Sequence, residues 1–321
     1  MPYAPNLAKL LTLERFGEAD SNLYQGLSHA NASGRSFGGQ VMGQALYAAG
    51  LSAPAGREAH SMHGYFLRPG DSTQKMMFEV QPLFTGGSFA NSRTLAYQDQ
   101  GGGAAEPLMS MIASFQRPGQ APEFYEPYDI ASLPEPESVP SLTDVYGYLA
   151  GNPVVDFVLK RPFEFRYIGG DVMQKVPQRT NRMQIWVRAV ETLPDDTLLH
   201  KAALTFCSDY PLLEPAMSVF GLPWTTPGMK AASLDHAIWF HRDFRADDWL
   251  LYDLHCATSQ GARALTRGRF FDTSGRLIAT VMQEVLLRVP SGLVLDLDYD
   301  ESDLRVVPDG GKNSQNSGES Q

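Results

Sequence analysis

The sequence predicts an α+β protein made of two similar halves, and two observations support this fold class. In the first half, one helix-forming segment is followed by several strand-like segments with turn residues between them, the order typical of a helix packed on an antiparallel sheet. The second half repeats this plan. At 321 residues, the chain is also long enough for about two domains.

The first half begins with a short amphipathic helix, predicted over residues 5–17 because its leucines recur near helical spacing. A second helix, Gln40–Ala49, ends at Gly50, a residue suited to a helix C-terminus. The small residues of this helix suggest close packing on a flat surface such as a sheet. The strand-like segments that follow are Met62–Leu67, Lys75–Leu83, Phe89–Gln98 and Leu108–Gln116.

The connection between the halves is rich in Pro and Glu and lacks periodicity, which is typical of a linker. A helix is predicted over Ser141–Ala150, with Ser141 as its N-cap and Asp144 three residues later. Strands of the second half are predicted at Phe163–Ile168, Met183–Val190, Ala237–Phe240, Trp249–His255, Arg263–Phe271 and Leu277–Leu287. The predicted division is a domain at 1–117, a linker at 118–160, a domain at 161–290 and a disordered tail at 291–321.

An internal repeat supports the two-domain interpretation. Superposing the halves without a gap pairs similar residues at one constant offset of 174 positions. The pairs are Phe66 with Phe240, Arg68 with Arg242, Glu79 with Asp253, Gly87 with Gly261, and Arg93 with Arg267. Two copies at a long offset indicate paired domains rather than a solenoid.

Composition excludes several classes of function. A formal net charge of −10 argues against nucleic-acid binding, which needs basic stripes. No apolar run is long enough to span a bilayer, so we expect no stable membrane insertion. Without a signal peptide or an SKL-type ending, a cytoplasmic location is expected, and a peroxisomal one is less favoured. Cys207 and Cys256 are predicted to be buried reduced thiols, and no motif predicts a cofactor or a metal site.

One serine matches the pattern of a hydrolase nucleophile. Residues 34–38 satisfy G-x-S-x-G, the nucleophile elbow of α/β-hydrolases, with Ser36 at its centre. The segment before it is loop-like, however, and the alternation of strands and helices typical of a parallel sheet is missing. A glycine-rich helix start is therefore the preferred interpretation, and a serine hydrolase using Ser36 remains an alternative.

Three polar residues lie in apolar surroundings and are candidates for catalysis. Asp209 stands at an apparent helix start, Ser233 at an apparent strand start, and Gln283 inside an apolar strand. Taken singly, each has a structural explanation, as an N-cap, a turn residue and an outward-facing strand residue respectively. Only their combination favours a functional site.

Several long motifs resemble the acyl-CoA thioesterase II (TesB-like) family, and they cover roughly residues 10–290. In the first half these are FGGQVMGQALYAAG and HSMHGYFLRPGD, and in the second RPFEFR, FCSDYPLL, SLDHAIWFHRDFRADDWLLY and RGRFFDTSGRLIATVMQE. FRADDW and a serine at position 233 look closest to the peroxisomal branch. The resemblance implies a double hotdog fold, two tandem hotdog domains each with a long helix wrapped by a curved antiparallel sheet. It also implies hydrolysis of fatty acyl-CoA to a free fatty acid and CoA.

The resemblance assigns catalysis to Asp209, Ser233 and Gln283, which would hold a water against the thioester. The first copy lacks the set. At the 174 offset Ser233 falls on Ala59, a separate alignment of LMSMIAS with IATVMQE pairs Gln283 with Ala113, and Asp209 falls near Gly38 and Gly39, so one centre per chain is expected. At a helix N-terminus the Asp209 carboxylate would stay ionised and could act as a general base. The acyl-CoA substrate is the expected partner, and a homo-oligomer is expected by analogy.

Two alternatives of the same fold stay open. A non-catalytic acyl-CoA-binding module would bind ligand without turnover, although it would have no need of the Asp/Ser/Gln set. A hydratase would normally use an Asp/His pair, and His236 is the only nearby histidine that could supply it.

Overall fold

The computed structural model describes residues 6–18, 21–31, 33–98 and 106–290, together with residue 293. The predicted disordered tail from residue 291 therefore lies, apart from residue 293, outside the described residues. No helix within these ranges is long and apolar enough to cross a membrane. Both predicted free thiols, Cys207 and Cys256, are buried and unpaired with each other.

Within the described ranges the chain forms six α-helices and thirteen strands. The helices are α1 (Leu7–Leu11), α2 (Gly38–Leu51), α3 (Leu142–Tyr146), α4 (Pro153–Leu159), α5 (Thr197–Ser208) and α6 (Glu214–Val219). The strands of the first half are β1 (Glu14–Arg15), β2 (Leu23–Gly26), β3 (Glu58–Phe66), β4 (Met76–Thr85), β5 (Phe89–Tyr97) and β6 (Met109–Gln116). Those of the second half are β7 (Phe163–Ile168), β8 (Arg182–Ala189), β9 (Lys230–Ser233), β10 (Asp235–Phe240), β11 (Leu250–Gln260), β12 (Arg263–Asp272) and β13 (Leu277–Arg288).

All of these strands belong to one antiparallel sheet. Its order is β1-β2-β4-β5-β6-β3-β10-β13-β12-β11-β8-β7, and the short β9 pairs separately with β13. The first-half strands thus occupy one side and the second-half strands the other, with β3 and β10 paired where they meet. Each side wraps a long helix, α2 or α5, and this is the α+β double hotdog fold predicted from the sequence.

Strand positions repeat at the offset found in the sequence. β4 begins at Met76 and β11 at Leu250, 174 positions later. β5 at Phe89 and β12 at Arg263 are separated by the same number. Register shifts also recur at this offset, since one follows Pro82 in β4 and the other follows Cys256 in β11. The halves therefore share local irregularities as well as strand positions.

The two long helices pack against each other with glycine in the contact. A Cβ added to Gly43 would lie 2.7 Å from the backbone oxygen of Ala202, and one added to Gly39 would collide with the backbone oxygen of Phe206. Because the earlier residue of α2, Gly39, faces the later residue of α5, Phe206, and Gly43 faces Ala202, the two helices run antiparallel. The small residues of α2 were expected to face a sheet, and for these glycines that expectation is wrong, because the surface they meet is another helix.

The remaining differences from prediction lie in the connections. The helix expected over 5–17 is limited to Leu7–Leu11, and a short strand follows it at Glu14–Arg15. Ser141 caps α3 as predicted, with the Asp144 side chain completing a reciprocal capping box. The connection also contains α4, which the sequence pattern did not indicate.

Candidate active site

The three predicted residues meet at one carboxylate oxygen. Ser233 Oγ donates a hydrogen bond of 2.8 Å to Asp209 Oδ1, and Gln283 Nε2 donates one of 2.7 Å to the same oxygen. Only 8% of Asp209 and 1% of Gln283 is exposed. A hydroxyl, a carboxamide and a carboxylate from three separate elements are thereby fixed within hydrogen-bonding distance.

Asp209 does not begin a helix, so that part of the sequence interpretation is wrong. α5 ends at Ser208, and Asp209 takes the capping position after it. The helix start beside it is that of α2, from the other half of the chain: a Cβ on Gly38 would lie 2.9 Å from Asp209 Oδ2. Because α2 and α5 are antiparallel, the positive end of α2 faces the Asp209 carboxylate, where it favours negative charge.

Strands β9 and β13 place Ser233 and Gln283, respectively, next to the Asp209 carboxylate. Ser233 is the last residue of β9 and pairs with Val285, two positions beyond Gln283. Alternate residues of β13 point to the same face, so Gln283 and Val285 both turn toward the helices and both are buried. The alternative interpretation of Gln283 as an outward-facing strand residue is therefore wrong.

A buried histidine lies opposite Gln283 in the neighbouring strand. His236 is fully buried, and its Nε2 lies 2.9 Å from Ser208 Oγ. Ala237 of β10 pairs with Met282 of β13, and the strands are antiparallel. His236, which precedes Ala237, is therefore opposite Gln283, which follows Met282. Burial lowers the pKa of His236, while the Asp209 charge and the Gln283 side chain act against that shift.

His236 forms no ion pair with a carboxylate within the described ranges. The Asp/His pair that a hydratase of this fold would use is thus not formed there.

A cavity of about 560 Å³ opens beside these groups and is lined by both halves of the chain. Its outer rim is polar and includes Ser33, Arg35, Ser36 and Arg68. Its inner end is mostly apolar and includes Phe157, Val158, Met173, Leu213 and Trp224, with Arg161 among them. A smaller cavity of about 310 Å³ adjoins the inner end and shares Val158, Met173 and Trp224 with it. The lining of the larger cavity therefore combines exposed polar side chains with a mostly apolar, more buried set.

Ser36 lies on the rim of this cavity but is not built as a nucleophile. The loop before it contains only an isolated bridge between Arg35 and Asp71, not the strand that a nucleophile elbow requires. Across the described part of the chain, its hydroxyl has one hydrogen-bond partner, Gln98 Nε2 at 3.5 Å. No base is therefore placed to activate it.

Sequence reasoning missed two buried charged residues, of which Arg161 lines the cavity. Arg161 and Glu214 are both buried, and burial raises the pKa of Glu214 to about 7. Neither stands out in the sequence, because Arg161 precedes a strand like many surface arginines and Glu214 follows a proline-containing turn. Only the folded chain shows that both are enclosed.

Comparison with known proteins finds the same family for both halves of the chain. The family model described as the acyl-CoA thioesterase N-terminal domain matches residues 28–116, and the model described as acyl-CoA thioesterase matches residues 157–286. Acyl-CoA thioesterase 2 of Haemophilus influenzae is 33% identical over 88% of this chain and 97% of its own. Human acyl-coenzyme A thioesterase 8 is 30% identical over 84% of this chain and 86% of its own.

Solved structures show the same similarity over nearly their whole length. The acyl-CoA thioesterase II TesB2 from Mycobacterium marinum is 35% identical, with a TM-score of 0.69 over 89% of this chain and 99% of its own. The tesB protein of Mycobacterium avium subs paratuberculosis is 32% identical, with a TM-score of 0.71 over 88% of this chain and 98% of its own. The chain therefore belongs to the acyl-CoA thioesterase II (TesB-like) family and is an acyl-CoA thioester hydrolase.

Proposed function

We propose that this enzyme converts fatty acyl-CoA to a free fatty acid and CoA at a single centre, with water held by Asp209, Ser233 and Gln283. The observation that supports this proposal is the convergence of Ser233 Oγ and Gln283 Nε2 on Asp209 Oδ1 beside the cavity. At the equivalent positions of the first half stand Ala59 and Ala113, which carry no polar side-chain group.

In the proposed reaction, the water oxygen attacks the thioester carbonyl carbon while Asp209 accepts one of its protons. The tetrahedral intermediate then collapses, and its C–S bond breaks. The proton held by Asp209 passes to the leaving sulfur, which departs as the CoA thiol. Ser233 and Gln283 fix the carboxylate and the water along the line of attack, so less orientational freedom is lost in the transition state.

The start of α2 is the proposed site for the developing oxyanion. The first backbone N–H groups of a helix have no partner within the helix, and the N-cap of α2, Phe37, supplies no side-chain acceptor. Gly38 keeps this turn accessible, because any side chain there would fill the space next to Asp209 Oδ2. Backbone donors aimed at a developing negative charge are the usual stabiliser of such intermediates.

The decisive experiment follows thiol release from a series of acyl-CoAs with the native enzyme and with Asp209→Asn. We expect the variant to lose at least roughly 100-fold in turnover, about 2.7 kcal/mol of transition-state stabilisation, because an amide cannot accept the proton. Asp195→Asn makes the same change at an exposed position and should leave turnover unaltered. Binding of acyl-CoA without turnover by the native protein would instead indicate a non-catalytic module.

Location and assembly are further parts of the proposal. Free, buried Cys207 and Cys256 suit a reducing compartment, and we propose the cytoplasm. We also propose a homo-oligomer, by analogy with other hotdog proteins. Cell fractionation and light scattering of the purified enzyme test these two points separately.

A further inference from the structure

Two buried polar atoms near the Asp209 carboxylate have no assigned hydrogen-bond partner. They are His236 Nδ1 and Gln283 Oε1, and neither has a partner in the described part of the chain. His236 is 0% exposed and Gln283 is 1% exposed. Buried polar atoms are normally paired, because a hydrogen bond left unmade inside a protein is costly.

The strand register brings these two side chains together. Since His236 of β10 stands directly opposite Gln283 of β13, the two side chains point to the same face of the sheet. Burial lowers the pKa of His236, and the Gln283 side chain opposes this shift, as an oxygen that accepts a hydrogen bond from the ring would. The ring and the carboxamide therefore share one enclosed space.

The Asp209 carboxylate determines which end of the Gln283 amide faces the ring. An ionised carboxylate only accepts hydrogen bonds, so the group 2.7 Å from Asp209 Oδ1 is Nε2. The other end of the amide, Oε1, is itself an acceptor. It can pair with the ring of His236 only if the nitrogen that faces it, Nδ1, carries a hydrogen.

Ser208 is placed to set this tautomer from the other side of the ring. Its Oγ lies 2.9 Å from His236 Nε2 and 2.9 Å from the backbone oxygen of Thr205. A hydroxyl group has a single hydrogen, and when that hydrogen points at Nε2, a neutral ring carries its proton on Nδ1. The lowered pKa of His236 favours this neutral ring.

We propose that His236 is a positioning residue, whose Nδ1–H donates to Gln283 Oε1 and holds the carboxamide in the plane where Nε2 meets both Asp209 and the attacking water. This inference rests on the proposed function and adds a residue to the same site. The last torsion of a glutamine side chain is broad, so an anchor at Nε2 alone leaves the amide free to turn. The series of hydrogen bonds begins at Ser208 and ends at Asp209, which are adjacent residues at the end of α5, so it forms a closed ring.

Three replacements of His236 separate the roles of its two ring nitrogens. His236→Asn keeps an N–H group close to the position of Nδ1, His236→Gln keeps one close to that of Nε2, and His236→Leu has neither. We expect kcat to fall at least ~10-fold in His236→Gln and His236→Leu but less than ~3-fold in His236→Asn, with KM nearly unchanged, because the water rather than the substrate is misplaced. Equal losses in His236→Asn and His236→Leu, or a change confined to KM, overturn the proposal.

A control and a double-mutant comparison separate this effect from general damage. His241→Leu makes the same change at an exposed histidine that is hydrogen-bonded to Thr280, and it should leave kcat unchanged. In a Gln283→Met background, which has no amide to hold, adding His236→Leu should cost less than ~3-fold further. Two losses that multiply in full would show that His236 acts independently of Gln283, which overturns the proposal.

The tautomer of the ring tests the hydrogen bond without any turnover. NMR of the full-length native enzyme with isotope-labelled histidine reports which ring nitrogen carries the proton, and the His236 signal is the one missing from a His236 variant that folds. We expect a proton on Nδ1, and an unprotonated Nδ1 overturns the proposal. If Gln283→Met keeps full turnover, the proposed function fails, while the tautomer still decides whether His236 donates to Gln283.

Discussion

Asp209 uses its two oxygens differently. Oδ1 is occupied by the donors from Ser233 and Gln283, whereas Oδ2 faces the first turn of α2 at Gly38. This division fixes the plane of the carboxylate and leaves one oxygen directed toward the space where water and thioester would meet. In the proposed mechanism Gln283 therefore acts through Asp209 as much as through the water, and its own contribution can be tested separately.

Replacing Gln283 by Glu should shift activity toward alkaline pH. Two carboxyl groups within hydrogen-bonding distance cannot both ionise readily, so the pair would keep one proton through neutral pH. We expect turnover near pH 7 to fall at least ~10-fold and the acidic limb of the pH–rate profile to move upward. Gln116→Glu, at an exposed strand position, is the matched control. A profile that only drops in height, without moving, contradicts this prediction.

Glu214 should make the native protein less stable as the pH rises. Burial raises its pKa from an ordinary 4.5 to about 7, so the folded chain holds this proton more tightly than the unfolded chain does. The free energy of unfolding therefore decreases between about pH 4.5 and pH 7 and levels off above, by on the order of 3 kcal/mol.

Glu214→Gln keeps an acceptor for the hydrogen bond from Trp224 Nε1 but has no charge to bury. Relative to the native protein, its melting temperature should be higher at about pH 8 and similar at about pH 5. Thermal unfolding followed by circular dichroism at both pH values measures the difference. Equal offsets at the two pH values would show that burial of this carboxyl does not control stability.

At the scale of elements, the contact between α2 and α5 decides both the fold and the position of Asp209. Helix propensity favours Ala over Gly by about 1 kcal/mol in a helix interior. At Gly43, however, the added methyl group would lie 2.7 Å from the backbone oxygen of Ala202, which cannot move aside as a side chain can. Packing should outweigh propensity at this position.

Gly43→Ala is therefore predicted to destabilise the protein by about 1–3 kcal/mol. Urea unfolding of the two proteins gives the difference. Gly87→Ala, where a Cβ would meet no atom within 4 Å, is the control and should change stability little. Greater stability of the Gly43 variant would mean that the helices can separate without cost.

The sequence predicts elements better than it predicts their contacts. Phe163–Ile168 was predicted to the residue, because its alternating burial matches the period of a strand. Asp209 was identified as a candidate but placed at a helix start, because Ser-Asp followed by Tyr-Pro also fits an N-cap pattern. The helix start that faces it belongs to α2, far away in sequence, and local patterns contain no information on such a contact.

The same reason explains the residues that were missed. His236 was noted only as a weak hydratase candidate, and its position behind Gln283 depends on the register between β10 and β13. Arg161 becomes notable only when three aromatic rings from different segments enclose it. The family motifs indicated the three candidate catalytic residues, and the folded structure showed which groups surround them.

In the whole molecule, the site lies where the two halves meet. Asp209, Ser233 and Gln283 come from the second half, and the rim residues Ser36 and Gly38 come from the first. β3 and β10 join the two sides of the sheet in register, so the relative position of the halves is fixed by backbone hydrogen bonds. A change confined to the first half should consequently affect catalysis.

Gly38→Ala tests this expectation in the full chain. The added Cβ would lie 2.9 Å from Asp209 Oδ2 and 2.8 Å from Phe66 Cζ, so either the carboxylate or the ring must move. Small displacements of reacting groups are expensive, and we expect turnover to fall at least ~10-fold with the fold retained. Gly119→Ala, in open space, is the control. Unchanged turnover in the Gly38 variant would mean that the start of α2 in the first half does not contribute to catalysis.

Because β3 pairs with β10, two unequal halves of one chain form a single active-site cavity, and this affects how the substrate range of such an enzyme can change in evolution. Once one polypeptide contains both halves, the Asp209, Ser233 and Gln283 set has to be kept in only one of them, while the other half keeps the start of α2. The other copy is free to accumulate changes at Ser36, Val41 and Phe66, which line the cavity but belong to no catalytic group. The acyl specificity of such an enzyme can then change while the Asp/Ser/Gln set is kept. In a symmetric homodimer of single domains, by contrast, every substitution in the cavity wall also occurs in the domain that carries the catalytic set.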